Sequence, residues 1–279
     1  MTSDEGHASN DRSVVDAPPP HGMTADLGAA AMELASGGRE LYSVFVRTLY
    51  YVFRGNRDRG AVVEQMYAIG NRSMFFMTIT MGFIGMILVF QAGVQAKRVV
   101  PDMTQLGALF MQLLVRDIAA SLGALMLATR VGAGIAAEIG SMVVTEQVDA
   151  LRMCAADPID FLIVPRFLAS IVMTTVLVIW GGAVAFSAGA GMAYFAFDVH
   201  PSTFFNLSQT GFPDLATGLT KCLAYGAAIP IVSGYCGLST FGGSEGVGWA
   251  TTRAVVNSSL ATIILNFFIS GTALLLGFF

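Results

Sequence analysis

AEIGSMVVTEQVDALRMCAADPIDFLIVPR, residues 137–166, is a charged stretch lying between two long apolar runs. Its centre, Thr145 to Ala156, reads as one short amphipathic helix, with Val144, Val148, Leu151 and Ala155 on one side and Glu146, Asp149 and Arg152 on others. Asp157 precedes a proline, which disfavours helical backbone, so the helix is expected to stop there. The same carboxylate suits the cap of a following helix, with Pro158 at its first position and Asp160 in its first turn, where negative charge suits the helix dipole. A helix, a hard break and a new helix make a compact knob, placed for reading by something outside the flanking apolar runs.

Those runs set the class. The chain is 54% hydrophobic and 12% charged, against about 25% charged residues in soluble domains. Crossing a hydrocarbon layer of about 30 Å takes roughly 20 apolar residues in a helix. Five such segments stand at about 73–95, 106–137, 162–197, 215–238 and 254–277. The expected fold is therefore an all-α polytopic membrane protein with its termini on opposite sides, and the knob joins the second and third crossings. Seven arginines (12, 39, 47, 54, 57, 59 and 72) precede the first crossing, and the loop at 198–214 has no Lys or Arg. That bias places the N-terminus in the cytoplasm and the C-terminus outside, with Lys97 and Arg98 as exceptions. The net charge of −4 sits largely in the first forty residues and points to no nucleic-acid surface.

Residues 1–38 are rich in Asp, Ser, Gly and Pro and read as a disordered cytoplasmic tail ahead of a domain at 39–279. No short apolar region with a cleavage site follows Met1, so the first crossing is expected to direct insertion. Between about 39 and 56, Leu41, Phe45, Leu49 and Val52 form an apolar stripe, with Ser43, Arg47 and Arg54 on another face. Such a helix lies along the membrane surface or packs on a soluble partner, and Tyr42, Tyr50 and Tyr51 suit either.

Chemistry-bearing motifs are scarce. Cys154, Cys222 and Cys236 lack metal-ligand spacing, the three histidines are scattered, and no catalytic site or metal centre is expected. There is no GxSxG, HExxH or phosphate-cradling GxxxxGK[ST] motif, so any work this chain does draws its energy from elsewhere. Arg116 and Asp117 instead fall some ten residues inside the second crossing, roughly 15 Å along its axis. Charges at that depth cost several kcal/mol unless paired or wetted, which marks either a functional site or a structural ion pair, with Lys221 on the fourth crossing the available partner. Further along the same helix Ala124, Ala128, Gly132, Ala136 and Gly140 recur every four residues and invite close approach of another helix, in this chain or a second copy. Arg130 and Glu138 flank that ladder as solvated charges, Pro230 is expected to bend the fourth crossing, and Met74, Met77, Met81 and Met86 offer adaptable apolar surface on the first.

Three segments, FIGMILVFQ (83–91), ATRVGAGIAAEIGSMVVTEQVDALRMCAADP (128–158) and GVGWATTRAVVNSSLATIILNF (246–267), resemble the MlaE/YrbE permease family. The resemblance runs from about residue 40 to the C-terminus. It implies the permease subunit of an ABC transporter that moves phospholipids or related hydrophobic molecules between membranes, in the bacterial inner membrane. It also implies a second permease copy, an MCE-domain protein, in some cases a small cytoplasmic accessory subunit, and a cytoplasmic ATPase holding the ATP and Mg that this chain lacks. By position, the family's ATPase-coupling helix falls on Glu146, Gln147, Asp149, Leu151 and Arg152. Arg116 and Asp117 fall on a polar pair of its lipid cavity, with Phe90 and Met86 as expected lipid-tail contacts, and Lys221, Arg253 and Glu138 take supporting positions. One departure stands out: the family's Arg-Glu-Leu-Gly-Pro is Arg116-Asp117-Ile118-Ala119-Ala120 here, which predicts a straighter helix and a reshaped cavity. A stand-alone secondary transporter using Asp117 as a proton site and a non-transporting membrane scaffold are the competing readings.

Overall fold

The computed structural model describes residues 23–54, 59–99, 105–205 and 210–277, and every regular element among them is a helix. The chain divides into two compact units, Met1–Ser43 and Val44–Phe279. Five helices are long and apolar enough to cross a membrane: α2 (Arg59–Lys97), α3 (Leu106–Val144), α5 (Ile159–Phe197), α7 (Phe212–Leu238) and α8 (Gly243–Leu275). The remaining helices are α1 (Met23–Arg54), α4 (Gln147–Met153) and α6 (Pro201–Phe204).

Each expected crossing lies mostly within one of these helices, and most extend beyond the apolar segment read from sequence. At 1.5 Å per residue the 39-residue helices run to nearly 60 Å, about twice a hydrocarbon layer, so their ends project from it. α1 corrects an expectation: the helix starts at Met23, where residues 23–38 had read as tail. The stretch MTADLGAAAMELAS (23–36) is rich in Ala, Leu and Met, strong helix formers that outweigh its single glycine. Residues 1–22 of the expected tail and 55–56 of the expected surface helix fall outside the described residues.

Within the larger unit, α2 lies along α5, and α3, α7 and α8 pack together. A Cβ at Gly85 on α2 would collide with the Ala185 carbonyl of α5, so only glycine permits that approach. Met77 and Met81 are fully buried beside Gly123 and Gly181, so this part of the methionine stripe is packing, and Met74 faces outward. The small-residue ladder finds its neighbours in the same chain. Ala124, Ala128 and Ala136 are fully buried, Gly132 meets Ser233 of α7 and Ser258 of α8, and Gly140 meets Thr240 in the turn between them. α7 is continuous through Pro230.

Candidate functional site

α3 is helical throughout but is not uniform. At Leu114–Ile118 it makes a π turn, in which the Ala119 amide reaches back to the Leu114 carbonyl. The missing Gly-Pro therefore does not leave a regular α-helix here. An inserted residue widens the turn without any proline, and such turns concentrate at functional positions. Arg116 and Asp117 sit inside it, and the turn sends them to different partners. Asp117 pairs with the ammonium of Lys221 on α7 and also accepts from Ser121 Oγ at 3.0 Å. Arg116 Nη1 lies 3.8 Å from Asp214 Oδ1. Asp214 is itself buried, accepting from the Gly211 amide at 3.0 Å and from Gln112 Nε2 at 3.4 Å.

Burial makes this cluster costly to disturb. Lys221 is 1% exposed while Asp117 keeps 44% of its side chain accessible, so the lysine is the group that depends on its partner. Isolating such a charge costs several kcal/mol, which a close, hydrogen-bonded counterion offsets. A second polar link follows one turn deeper, where Tyr225 OH donates to Asn266 Oδ1 of α8 at 3.0 Å. Gly218 lets α7 come this near, since a Cβ there would strike the Val115 carbonyl of the π turn. Leu114, Val115 and Ala119, flanking the charged pair, help line an apolar cavity of about 410 Å³ shared with Gly182, Phe186 and Cys222. Phe90 lines a different cleft of about 590 Å³ with Leu113 and Ile118, and Met86 is half-buried on α2. The four residues expected at one lipid cavity are thus divided between these places.

The second site is the knob. α4 begins at Gln147 because Glu146 takes a left-handed conformation, φ 61°, two residues later than the expected helix. It ends at Met153 rather than at the pre-proline Asp157. Ala155 adopts φ 57°, its amide bonds the Arg152 carbonyl at 3.0 Å, and the Ala156 amide bonds the Leu151 carbonyl at 3.1 Å. That is the Schellman arrangement, here built on alanine instead of glycine. Val148 anchors the helix at 3% exposure and Leu151 is half-buried, while Glu146, Gln147, Asp149 and Arg152 point outward. Asp149 and Arg152 pair at 3.0 Å. Ala155, placed on the apolar side by periodicity, is exposed because the helix has already ended.

Asp157 does cap the following helix, accepting from the Ile159 amide at 3.0 Å. Its other oxygen accepts from Tyr51 OH of α1 at 2.8 Å, and that carboxylate holds the phenol above its ordinary pKa. Thr48 and Val52 are buried and Tyr51 packs on the core, whereas Phe45 and Leu49 of the expected apolar stripe face outward. Glu138 is not a lone solvated charge. It accepts from Arg166 Nη2 at 3.1 Å, with Arg72 Nη1 4.0 Å away, and Arg166 is itself buried. Arg253 lies elsewhere, beside the turn between α7 and α8, where it helps line a cavity of about 320 Å³.

Sequence reading missed Asp214, Arg166, Tyr225 and Asn266. Asp214 had a signal: in GFPD (211–214) proline sits in the first turn and the acid at the third position, a helix start that draws the fourth crossing's boundary out to include it. Tyr225 and Asn266 offer no spacing that links them.

The model of the family described as "Permease MlaE" matches residues 62–272, well over half of the chain. A probable ABC transporter permease protein of Synechocystis sp. is 39% identical over 79% of this chain and 84% of its own length. The intermembrane phospholipid transport system permease protein MlaE of Haemophilus influenzae is 32% identical over 77% of this chain and 83% of its own length. With matches of this extent to the family and to its individual members, the chain belongs to the MlaE permease family.

Proposed function

We propose that this chain is the membrane-spanning permease subunit of an ABC transporter that moves phospholipids or related hydrophobic molecules between membranes, driven by a separate ATPase. What carries the reading is α4. It is a short helix between two crossings, fixed to the bundle by Val148 and presenting Glu146, Gln147, Asp149 and Arg152 to a partner. The ATPase supplies ATP and Mg, and its closure on nucleotide pushes the knob. The Tyr51–Asp157 hydrogen bond passes that displacement to α1, and the Val164–Phe197 part of α5 passes it into the bundle.

Orientation follows the arginine bias, with the N-terminus and α4 in the cytoplasm, in a bacterial inner membrane. Tyr42, Phe45, Val46, Leu49, Tyr50 and Phe53 form an exposed apolar face on α1, which supports its lying in the interface of that membrane. α2 and α8 keep most of their surface outside the bundle, which suits a second permease copy, and an MCE-domain protein completes the route outside. In the assembled complex the lipid tails lie on apolar walls and the headgroup passes Arg116. The motion is mechanical, and this chain contributes surfaces and levers rather than reacting groups.

The test is Leu151→Asp or Asp149→Lys, with expression and membrane insertion checked. Loss of ATPase co-purification and of lipid transfer is expected. Retention of both at the unmodified level contradicts the assignment of α4.

A further inference from the structure

The turn joining α7 to α8 carries a feature that the coupling account leaves unused. Glu245, Trp249 and Arg253 recur at intervals of four on α8, so they lie in one row along its face. All three line the same cavity of about 320 Å³, whose other walls include Cys236, Thr240 and Phe241. Trp249 and Phe241 are 66% and 81% exposed. Among the described residues neither the Glu245 carboxylate nor the Arg253 guanidinium has a hydrogen-bond or ion-pair partner.

The order of these groups relative to the membrane is informative. A turn between two crossings lies at a membrane–water interface whichever way the chain is inserted. α8 has 33 residues, about 50 Å at 1.5 Å per residue, so its first residues stand outside the hydrocarbon. Arg253 is the last charged residue of α8, and residues 254–275 carry no Asp, Glu, Lys or Arg, which places this guanidinium at the hydrocarbon boundary. Glu245 is two turns further out, and Trp249 lies between them at the level aromatic residues favour. Passing from hydrocarbon to water, the row reads cation, ring, anion. An amine-bearing zwitterionic phospholipid presents, in the same direction, its phosphate, its short linker and its ammonium. Phosphate beside Arg253 and ammonium beside Glu245 and the Trp249 ring satisfy charge complementarity at both ends.

We infer that the α7–α8 turn is a binding site for the headgroup of an amine-bearing zwitterionic phospholipid in the leaflet that contacts this turn. It is separate from the Arg116–Asp117 cluster, and it rests only on the two crossings being joined here, so failure of the transport reading leaves it standing.

The experiment uses the assembled permease complex in nanodiscs containing equal parts of phosphatidylethanolamine and phosphatidylglycerol. A benzoylphenylalanine at Phe241 is photoactivated and the adducts are identified by mass spectrometry. Phosphatidylethanolamine adducts are expected to exceed phosphatidylglycerol adducts about tenfold, a difference of about 1.4 kcal/mol. Glu245→Gln removes that preference while lipid adducts persist, and Arg253→Gln lowers both. Should Arg253→Gln fail to assemble, Glu245→Gln alone decides through the ratio. Soluble glycerophosphoethanolamine added in excess leaves the adducts unchanged if the bilayer lipid is the ligand, and suppresses them if a free phosphate compound is. Adducts to a second permease copy or to the ATPase, suppression by the soluble compound, or equal yields for the two lipids in the unmodified protein would overturn the assignment.

Discussion

The charges inside the bundle and the charges on the knob follow opposite rules. Within the crossings Lys221, Asp214 and Arg116 are buried or nearly so, and each has a counterion. On the knob, Glu146, Asp149 and Arg152 face outward, and the one ion pair among them is an exposed pair three residues apart, of a kind that contributes little to stability. The interior charges are held by low dielectric and cannot change partner cheaply. Those of the knob are available to a second protein. The difference separates residues that fix the architecture from residues that, in the proposed function, transmit force.

The largest predicted effect breaks the interior rule. Asp117→Asn strands an ammonium that is 1% exposed, and removing one member of a buried pair costs about 3–5 kcal/mol. Lys221→Met leaves only the 44% exposed Asp117 and is expected to cost much less. The double variant should recover most of the loss, because no buried charge remains. Thermal melting of the three purified proteins, read by a fluorescent size-exclusion assay, checks this order; equal losses from the two single variants would mean that burial is not what governs the pair.

Gly218→Val comes next, since its side chain must displace the Val115 carbonyl of the π turn; a cost of about 1–3 kcal/mol is expected, seen as a lower melting temperature. Tyr51→Phe keeps the ring and removes the bond to Asp157, and a smaller effect is expected because the bond is open to solvent. Its signature is faster amide exchange at residues 155–160 with the bundle unchanged. The smallest effect has the opposite sign. Ala155→Gly relieves a left-handed alanine at φ 57° and should stabilise the knob by up to about 1 kcal/mol, visible as slower exchange at the end of α4.

How much of this was legible in the sequence depended on the interaction. The five crossings and the close-packing ladder announced themselves through hydrophobic run and spacing, because burial in lipid leaves few other arrangements. The Asp117–Lys221 pair was legible too, since an intramembrane charge requires a partner and few cations were available. The Arg116–Asp214 pair was not, because Asp214 falls one residue before the apolar run that marked the fourth crossing. The π turn left no trace, as π and α backbones accept the same residues. The limits of α4 were misjudged because Glu146 and Ala155 adopt left-handed backbone that their side chains disfavour, and only tertiary contacts impose it. Likewise the packed face of α1 is set by Thr48, Tyr51 and Val52, not by the more hydrophobic stripe beside it, which remains exposed.

The division between fixed interior and transmitting knob is tested most directly in proteoliposomes. Transfer of a labelled phospholipid is measured for the permease with its ATPase and ATP, with a non-hydrolysable analogue, and for the permease alone. Transfer that requires both the ATPase and hydrolysis, and that disappears in Leu151→Asp while the bundle's melting temperature is kept, is the predicted result. Transfer at the same rate by the permease alone would contradict it.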